Sequence, residues 1–318
     1  MLTQLDLDRA AAEVYRHMAP TPQYRWPLLE TELGATTWVK HENHTPIGAF
    51  KVRGGLVWMA ERVRSGRAGP LITATRGNHG QSIPWAARIH GQTVQVLVPE
   101  GNSREKNALM AALGAEVVTH GADFDSARQE AERRAAAGYG ELIPSFDPLL
   151  VHGVATWALE LLQAAPDLER LYVPIGMGSG ICGAIGVRDL LGCRTEIIGV
   201  VADGAPAYAM SLAAGRPVSS NAAVTMADGL AVRVPHPDAL AVIRKGVKRI
   251  VRVTDGQIEA AMRQLFRCTH NVAEGAGAAS LAAAAQVTED NGGRSIGVVV
   301  TGGNIDADRF AAVLAGAA

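Results

Sequence analysis

The sequence predicts an α/β protein with two open, mostly parallel sheets flanked by helices. Three observations favour this class. Short apolar runs alternate with helix-like segments along the chain. Most of these runs are continuously apolar, as strands buried on both faces of a sheet are. The chain has 318 residues, of which 48% are hydrophobic and 19% charged, so it is long and apolar enough for two domains with buried cores.

The predicted strands and helices follow from these runs in order. The strands lie at residues 37–40, 71–75, 94–98, 116–119, 171–175, 197–201 and 296–300. The helices lie at residues 52–65, 81–90, 104–113, 123–137, 151–164, 183–191 and 255–268. The Ala-rich stretch 274–285 is also predicted to be a closely packed helix.

Two sets of alternating strands and helices predict two domains. We expect a small domain at residues 50–143 and a large domain built from residues 1–49 and 144–318. Ligands of open α/β sheets bind beyond the carboxyl ends of the strands. The loops that directly follow strands are therefore where site residues are expected.

Composition excludes several classes of function. The net charge is -1 and no long basic or acidic run is present, so neither nucleic acid nor a membrane surface is an expected partner. Cys182, Cys193 and Cys268 are far apart and form no CxxC pair, so a reducing, cytoplasmic location is expected. His41 and His44 lack partners at metal-ligand spacing, and we expect no metal site.

Lys51 is the first candidate for chemistry. It follows a turn that contains Pro46 and Gly48, stands next to Phe50, and begins a predicted helix. Partial desolvation there would lower the pKa of the Lys51 amine and make it able to form an imine. On these residues alone, an ordinary lysine at a helix start is the favoured interpretation.

Glycine-rich loops follow two buried strands. The loop Gly176-Met177-Gly178-Ser179-Gly180 can curl its backbone N–H groups around a phosphate, aided by the helix that follows. The loop Thr75-Arg76-Gly77-Asn78-His79 also opens a helix and is predicted to bind an anion.

Two further segments also place flexible glycines in a loop or turn. Thr301 begins a Thr-Gly-Gly-Asn segment after the last strong strand, and Gly229 lies in a turn that allows close approach of the backbone. We therefore count Thr301 and Gly229 among the candidate cofactor contacts.

An alternative remains open at the glycine loop. Residues 178–183 read literally as GxGxxG, and Asp203 ends the next strand, as in nicotinamide-dependent oxidoreductases. That class would normally carry the motif after the first strand of its sheet.

In this order and over nearly the whole chain, the segments resemble the pyridoxal phosphate (PLP) enzymes of fold type II, particularly the serine/threonine dehydratase group. The resemblance implies PLP in the cleft between the domains, bound by Lys51 as an imine with Phe50 near its ring. It also implies that Asn78 approaches the phenol oxygen and that residues 75–79 take the substrate carboxylate. Residues 176–180 would hold the phosphate, Thr301 would face the ring nitrogen, and Glu274 would lie near the cofactor.

The function that this resemblance implies is β-elimination. A β-hydroxy-α-amino acid, such as threonine, serine or a β-aryl analogue like phenylserine, would lose water and give a 2-keto acid and ammonia. Alternatives within the fold are a hydroxyaspartate-type dehydratase, an amino-acid racemase and a β-replacement enzyme. The resemblance also implies a homodimer. Because the chain ends soon after Asn304, we expect no fused regulatory domain.

Several residues depart from the pattern of the group. Arg76 replaces a small residue, and because an arginine is a poor base, racemase activity is disfavoured. Arg76 is expected either to shape the substrate pocket or to turn away to a surface ion pair. Ile47 and Ala49 are expected to make the substrate wall apolar, which favours the aryl substrate. Val201 and Ala207 replace acidic metal ligands, so no divalent cation is expected.

Overall fold

The computed structural model describes residues 2–316 and contains two sheets. The six-stranded sheet has the order β1-β2-β10-β7-β8-β9, and the four-stranded sheet has the order β5-β4-β3-β6. Only β1 runs antiparallel to its neighbour. The strands are β1 Gln23–Arg25, β2 Thr36–His41, β3 Leu71–Ala74, β4 Val94–Val98, β5 Ala115–Thr119, β6 Glu141–Leu142, β7 Arg170–Pro174, β8 Glu196–Ala202, β9 Val247–Val253 and β10 Ser295–Val300.

Helices cover both sheets. They are α1 Gln4–Tyr15, α2 Pro27–Leu33, α3 Lys51–Arg64, α4 Asn78–Ile89, α5 Arg104–Ala112, α6 Phe124–Ala136, α7 Pro148–Ala164, α8 Ser179–Leu191, α9 Ala207–Ala214, α10 Pro237–Gly246, α11 Asp255–Thr269, α12 Gly275–Gln286, α13 Thr288–Asn291 and α14 Ala307–Ala315. Short 3₁₀ turns form at Glu42–His44 and Asp228–Leu230.

The predicted fold class is confirmed, and each predicted strand and helix is present within a few residues of its bounds. The prediction missed β1, β6 and β9. The first two are only three and two residues long. β9 was missed because Lys248, Arg249 and Arg252 interrupt its apolar pattern, which an edge strand tolerates. The strands of the smaller sheet all lie between residues 71 and 142. The exact domain bounds stay a prediction.

Helix α8 begins at Ser179, four residues before the predicted start at Gly183. Gly183 faces α7, where an added Cβ would lie 2.9 Å from the Cα of Ala155. The last glycine of the GxGxxG pattern therefore permits close helix packing, and it is not part of a ligand loop.

A buried ionic cluster fixes the start of α3. The Arg53 guanidinium is fully buried and donates to the carboxylates of Glu42, at 2.8 Å, and Glu160, at 2.6 Å. Lys40, also fully buried, donates to Glu160. Two cations face two anions, so the charges are compensated, and α3 is held against β2 and α7 with Lys51 at its first turn.

Candidate active site

A cavity of about 140 Å³ lies at the carboxyl ends of strands β3, β7 and β10. The structure brings the predicted lysine, the predicted cofactor contacts and the predicted carboxylate loop to the wall of this cavity. These residues are Phe50, Lys51, Thr75, Arg76, Gly77, Asn78, His79, Gly176, Met177, Gly178, Ser179, Gly180, Gly229, Glu274 and Thr301. Their proximity is a structural fact, whereas the roles assigned to them stay predictions.

Lys51 occupies the first turn of α3 and reaches the glycine loop. Its amine donates to the hydroxyl of Ser179 at 3.2 Å and lies 5.2 Å from the centroid of the Phe50 ring. Burial lowers the pKa of Lys51 from 10.5 to about 8. The Phe50 N–H donates to the Thr301 carbonyl at 3.0 Å, so this segment is fastened to the end of β10.

The glycine loop has the geometry of an anion site. Gly178 has a φ of 105°, a left-handed conformation that glycine adopts without strain. A Cβ on Gly176 would lie 2.2 Å from the Gly229 carbonyl oxygen, so the two backbones approach closely. The N–H groups in the first turn of α8 have no helical acceptor and are available to an anion.

His79 lies in the first turn of α4 and is 8% exposed. Burial, with a smaller contribution from the nearby Lys51 charge, lowers the pKa of His79 to about 3. The ring is therefore neutral at physiological pH. Its Nε2 atom has no hydrogen-bond partner among residues 2–316, which leaves a buried polar atom at the cavity wall for a ligand to satisfy.

A polar network that the sequence did not predict lies on the same wall. Lys106 donates to Glu274 at 2.9 Å and lies 3.5 Å from Asp228. Burial would lower the pKa of Lys106, but the two carboxylates outweigh it and raise the pKa. The Glu274 carboxylate also accepts a hydrogen bond from the side-chain NH₂ of Asn78. The side-chain oxygen of Asn78 in turn accepts a hydrogen bond from the side-chain NH₂ of Asn304 at 2.9 Å. The sequence does not mark Lys106 as a site residue, because it stands beside Arg104 and Glu105 in an ordinary polar helix.

Arg76 makes no hydrogen bond or ion pair within the described part of the chain, so the structure does not support the predicted surface ion pair. Its side chain lines the cavity instead.

The expectation that Ile47 and Ala49 make the substrate wall apolar is wrong. Both are buried at 2% or less and neither lines the cavity, because Ala49 pairs with Gly302 and Ile47 packs in the core beside α3.

A buried lysine with a lowered pKa shares one cavity with the glycine loop and the buried hydroxyl of Thr301, and this combination is typical of a cofactor-dependent enzyme. A family model described as "Pyridoxal-phosphate dependent enzyme" matches residues 14–302. The chain belongs to this family, and its cofactor is pyridoxal phosphate.

Curated relatives and solved structures agree with this assignment. An L-threonine ammonia-lyase of Geobacter sulfurreducens is 37% identical over 287 residues, which is 89% of this chain and 71% of the relative. An L-threo-3-hydroxyaspartate ammonia-lyase of Saccharomyces cerevisiae is 30% identical and covers 98% of this chain and 96% of its own. The processed form of threonine deaminase isoform 2 from Solanum lycopersicum superposes with a TM-score of 0.91 at 27% identity, over 97% of this chain and 91% of that one.

The predicted resemblance, fold class and cofactor are thus confirmed. The nicotinamide alternative is disfavoured by the family and by Asp203, which pairs with Arg252 at 2.6 Å on the protein surface. Among residues 2–316, no group of three or more His, Cys, Asp or Glu side chains could hold a metal ion. No described helix is long and apolar enough to cross a membrane.

The residues at the cavity fit pyridoxal phosphate. Lys51 supplies an amine for covalent attachment, and the turn before α8 supplies N–H donors for a phosphate. Thr301, 9% exposed, supplies a hydroxyl at the end of β10. The unsatisfied Nε2 of His79 shows that the wall is built for a polar occupant.

Proposed function

We propose that the protein removes water from a β-hydroxy-α-amino acid and releases a 2-keto acid and ammonia. One observation carries the proposal. The Lys51 amine, with a pKa of about 8, lies in one cavity with a phosphate-type loop and the neutral hydroxyl of Thr301. Bound pyridoxal phosphate supplies the electron sink that makes the Cα–H bond acidic.

Lys51 would attach the cofactor and, once displaced by substrate, take the Cα proton. Its lowered pKa favours this role, because about half of the amine is already free of its proton at pH 8. The Cα proton would then be held on the Lys51 amine, and the β-hydroxyl would take up one proton and leave as water. The released enamine hydrolyses to the 2-keto acid and ammonia, so the net change is loss of ammonia from the amino acid.

Other residues of the cavity would hold the cofactor. Residues 176–180 would bind its phosphate, Asn78 its phenol oxygen, and Thr301 its ring nitrogen, with Phe50, Gly229 and Glu274 around the ring. A hydroxyl cannot keep the ring nitrogen protonated as a carboxylate would, so the electron sink is moderate. This favours quick elimination over chemistry that needs a long-lived carbanion, such as transamination.

The loop Thr75-Arg76-Gly77-Asn78-His79 would bind the substrate carboxylate. At the N-terminus of α4 it offers backbone N–H groups to an anion. Arg76 argues against racemisation, because a guanidinium that is always charged cannot take a proton from the second face of Cα.

The setting of the enzyme is also a proposal. Cys182, Cys193 and Cys268 are free, which is compatible with the cytoplasm. We further propose a homodimer, to be checked by analytical ultracentrifugation. The domain division at residues 50–143 is supported by the confinement of the four-stranded sheet to residues 71–142.

The test is keto-acid release from a panel of threonine, serine, phenylserine and hydroxyaspartate isomers. The purified protein should be yellow, and borohydride reduction followed by peptide mapping should label Lys51. Lys51→Ala should abolish release, whereas Lys248→Ala, which removes an exposed lysine of β9, should not. A yellow protein that is labelled at Lys51 but releases no keto acid from any isomer would contradict the proposal.

A further inference from the structure

A second and larger cavity adjoins the candidate active site. Its volume is about 620 Å³, and it lies between the start of α6, the segment after β6 and residues 221–237. The two cavities share one wall, of which Ala74, Phe124, Met177, Ala231 and Val232 form the apolar part. We call the larger space the outer cavity. A substituent that leaves the reacting centre on this side would enter mainly apolar surroundings.

The outer cavity is larger than a small substrate requires. Pockets for drug-sized ligands typically span roughly 300–1,000 Å³, whereas the methyl group of threonine fills only a small fraction of that. An ion pair already joins the two sides of the cavity, since Arg233 lies 3.4 Å from Asp125 of α6. The outer cavity is therefore present although this ion pair already joins α6 to the segment 221–237.

Arg76 stands at the boundary of the two cavities. Its guanidinium has no hydrogen-bond or ion-pair partner in residues 2–316. A guanidinium plane stacks well on an aromatic face. With Phe124 and Val232 on the same wall, the boundary offers one cationic and several apolar surfaces to a flat ring.

We propose that the outer cavity holds an aryl group carried on Cβ of the substrate. The substrate class is then the β-aryl-β-hydroxy-α-amino acids, with the ring against Phe124, Met177 and Val232 and beneath Arg76. This inference rests on the proposed dehydration but goes beyond it, because it assigns the substrate class from a cavity that the reaction itself does not require.

Binding without turnover gives the first test. Phenylalanine and alanine lack the β-hydroxyl, so they can occupy the site of the holoenzyme without losing water. Their dissociation constants follow from the change in cofactor absorbance on titration. We expect phenylalanine to bind at least about tenfold more tightly than alanine, as for the burial of several additional carbon atoms. Equal dissociation constants would overturn the proposal.

Variants of the shared wall give the second test. Phe124→Ala removes the ring that faces the substituent, and Val232→Trp fills the space beside it. Each should lower kcat/KM for phenylserine by about tenfold or more and that for threonine by less than about threefold. The threonine value and the melting temperature show that the variants are folded. Val63→Trp, at a position on α3 that is 38% exposed and away from both cavities, should change neither value.

The remaining outcomes are decisive as well. If hydroxyaspartate is turned over better than phenylserine and Arg76→Leu abolishes that preference, Arg76 binds a carboxylate and the aryl proposal is wrong. It is also wrong if Phe124→Ala lowers both kcat/KM values equally. If phenylalanine binds tightly while no isomer releases a keto acid, the cavity proposal stands and the proposed dehydration fails.

Discussion

Lys51 owes its lowered pKa to burial alone. No charged side chain contributes to the shift, and the polar group that its amine contacts is the neutral hydroxyl of Ser179. Desolvation favours the uncharged amine, which is the form that attacks a carbonyl carbon. His79 nearby is also neutral, so neither the Ser179 hydroxyl nor the His79 ring brings a charge to the Lys51 amine.

The pKa of Lys51 predicts how cofactor uptake depends on pH. In the folded protein the amine loses its proton near pH 8, against 10.5 for an ordinary lysine. The rate at which the cofactor-stripped protein takes up pyridoxal phosphate should therefore rise with pH to a midpoint of about 8. Between pH values of about 8 and 10.5, the Lys51 amine is protonated in the unfolded chain but not in the folded chain. In this range Lys51 therefore makes the free energy of unfolding rise with pH.

Stopped-flow absorbance measures this uptake. N-α-acetyl-lysine serves as the control, with a midpoint expected at about 10.4, the value for an unperturbed lysine. A midpoint for the protein that matches the control would show that Lys51 is not desolvated before the cofactor binds.

At the scale of elements, the phosphate-type loop depends on helix α9. The buried Tyr208 hydroxyl donates to the Met177 carbonyl at 3.0 Å and accepts from the His236 N–H at 3.0 Å. Burial raises the pKa of Tyr208, so the hydroxyl keeps its proton and can donate. Tyr208 thus fastens the turn before α8 to the segment before α10, which also lines the outer cavity.

Tyr208→Phe tests this coupling. It leaves two backbone groups without their partner, at a cost of about 1–3 kcal/mol each if they stay buried. We expect the dissociation constant of pyridoxal phosphate to rise by about five- to tenfold, because the loop loses one of its supports. Fluorescence titration of the stripped protein measures the constant. Tyr139→Phe, at a position 66% exposed, is the matched control, and equal effects of both changes would contradict a role for Tyr208.

At the scale of the whole molecule, ion pairs connect the two sheets. Lys106 and Arg104 both project from α5, which packs on the four-stranded sheet, and both reach acidic residues at helix starts of the other half, Glu274 before α12 and Asp308 in the first turn of α14. Lys106 pairs with Glu274 with both side chains at 7% exposure or less. Arg104 pairs with Asp308 at 85% and 70% exposure. The two pairs therefore differ in solvation while they connect the same parts.

Removing these two cations should have unequal effects. Lys106→Met leaves Glu274 buried without its cation and should lower the free energy of unfolding by about 3–5 kcal/mol. Arg104→Met removes an exposed pair and should cost at most about 1 kcal/mol. Urea denaturation of the holoenzyme, followed by circular dichroism, measures both. Similar losses for the two variants would mean that water reaches the Lys106–Glu274 pair.

Much of the site could be predicted because its motifs are local in the chain. The turn before α8 and the loop before α4 each follow a buried strand, and the position of a loop after a strand decides which end of the sheet it occupies. Errors arose where neighbours in sequence point in different directions. Ile47 and Ala49 precede Lys51 by a few residues, yet both face the core.

The sequence by itself determined the fold class, the lysine, the glycine loops and, through resemblance, the cofactor. These features depend on apolar runs and on residue types that recur at short spacing. Only the tertiary structure decided which further residues complete the cavity. Lys106 meets Glu274 across 168 residues, and Tyr208 meets Met177 across 31. The outer cavity arises where the segments around Phe124 and Val232 pack together. Such contacts depend on how elements that are far apart in the sequence pack together, and no local sequence pattern predicts that packing.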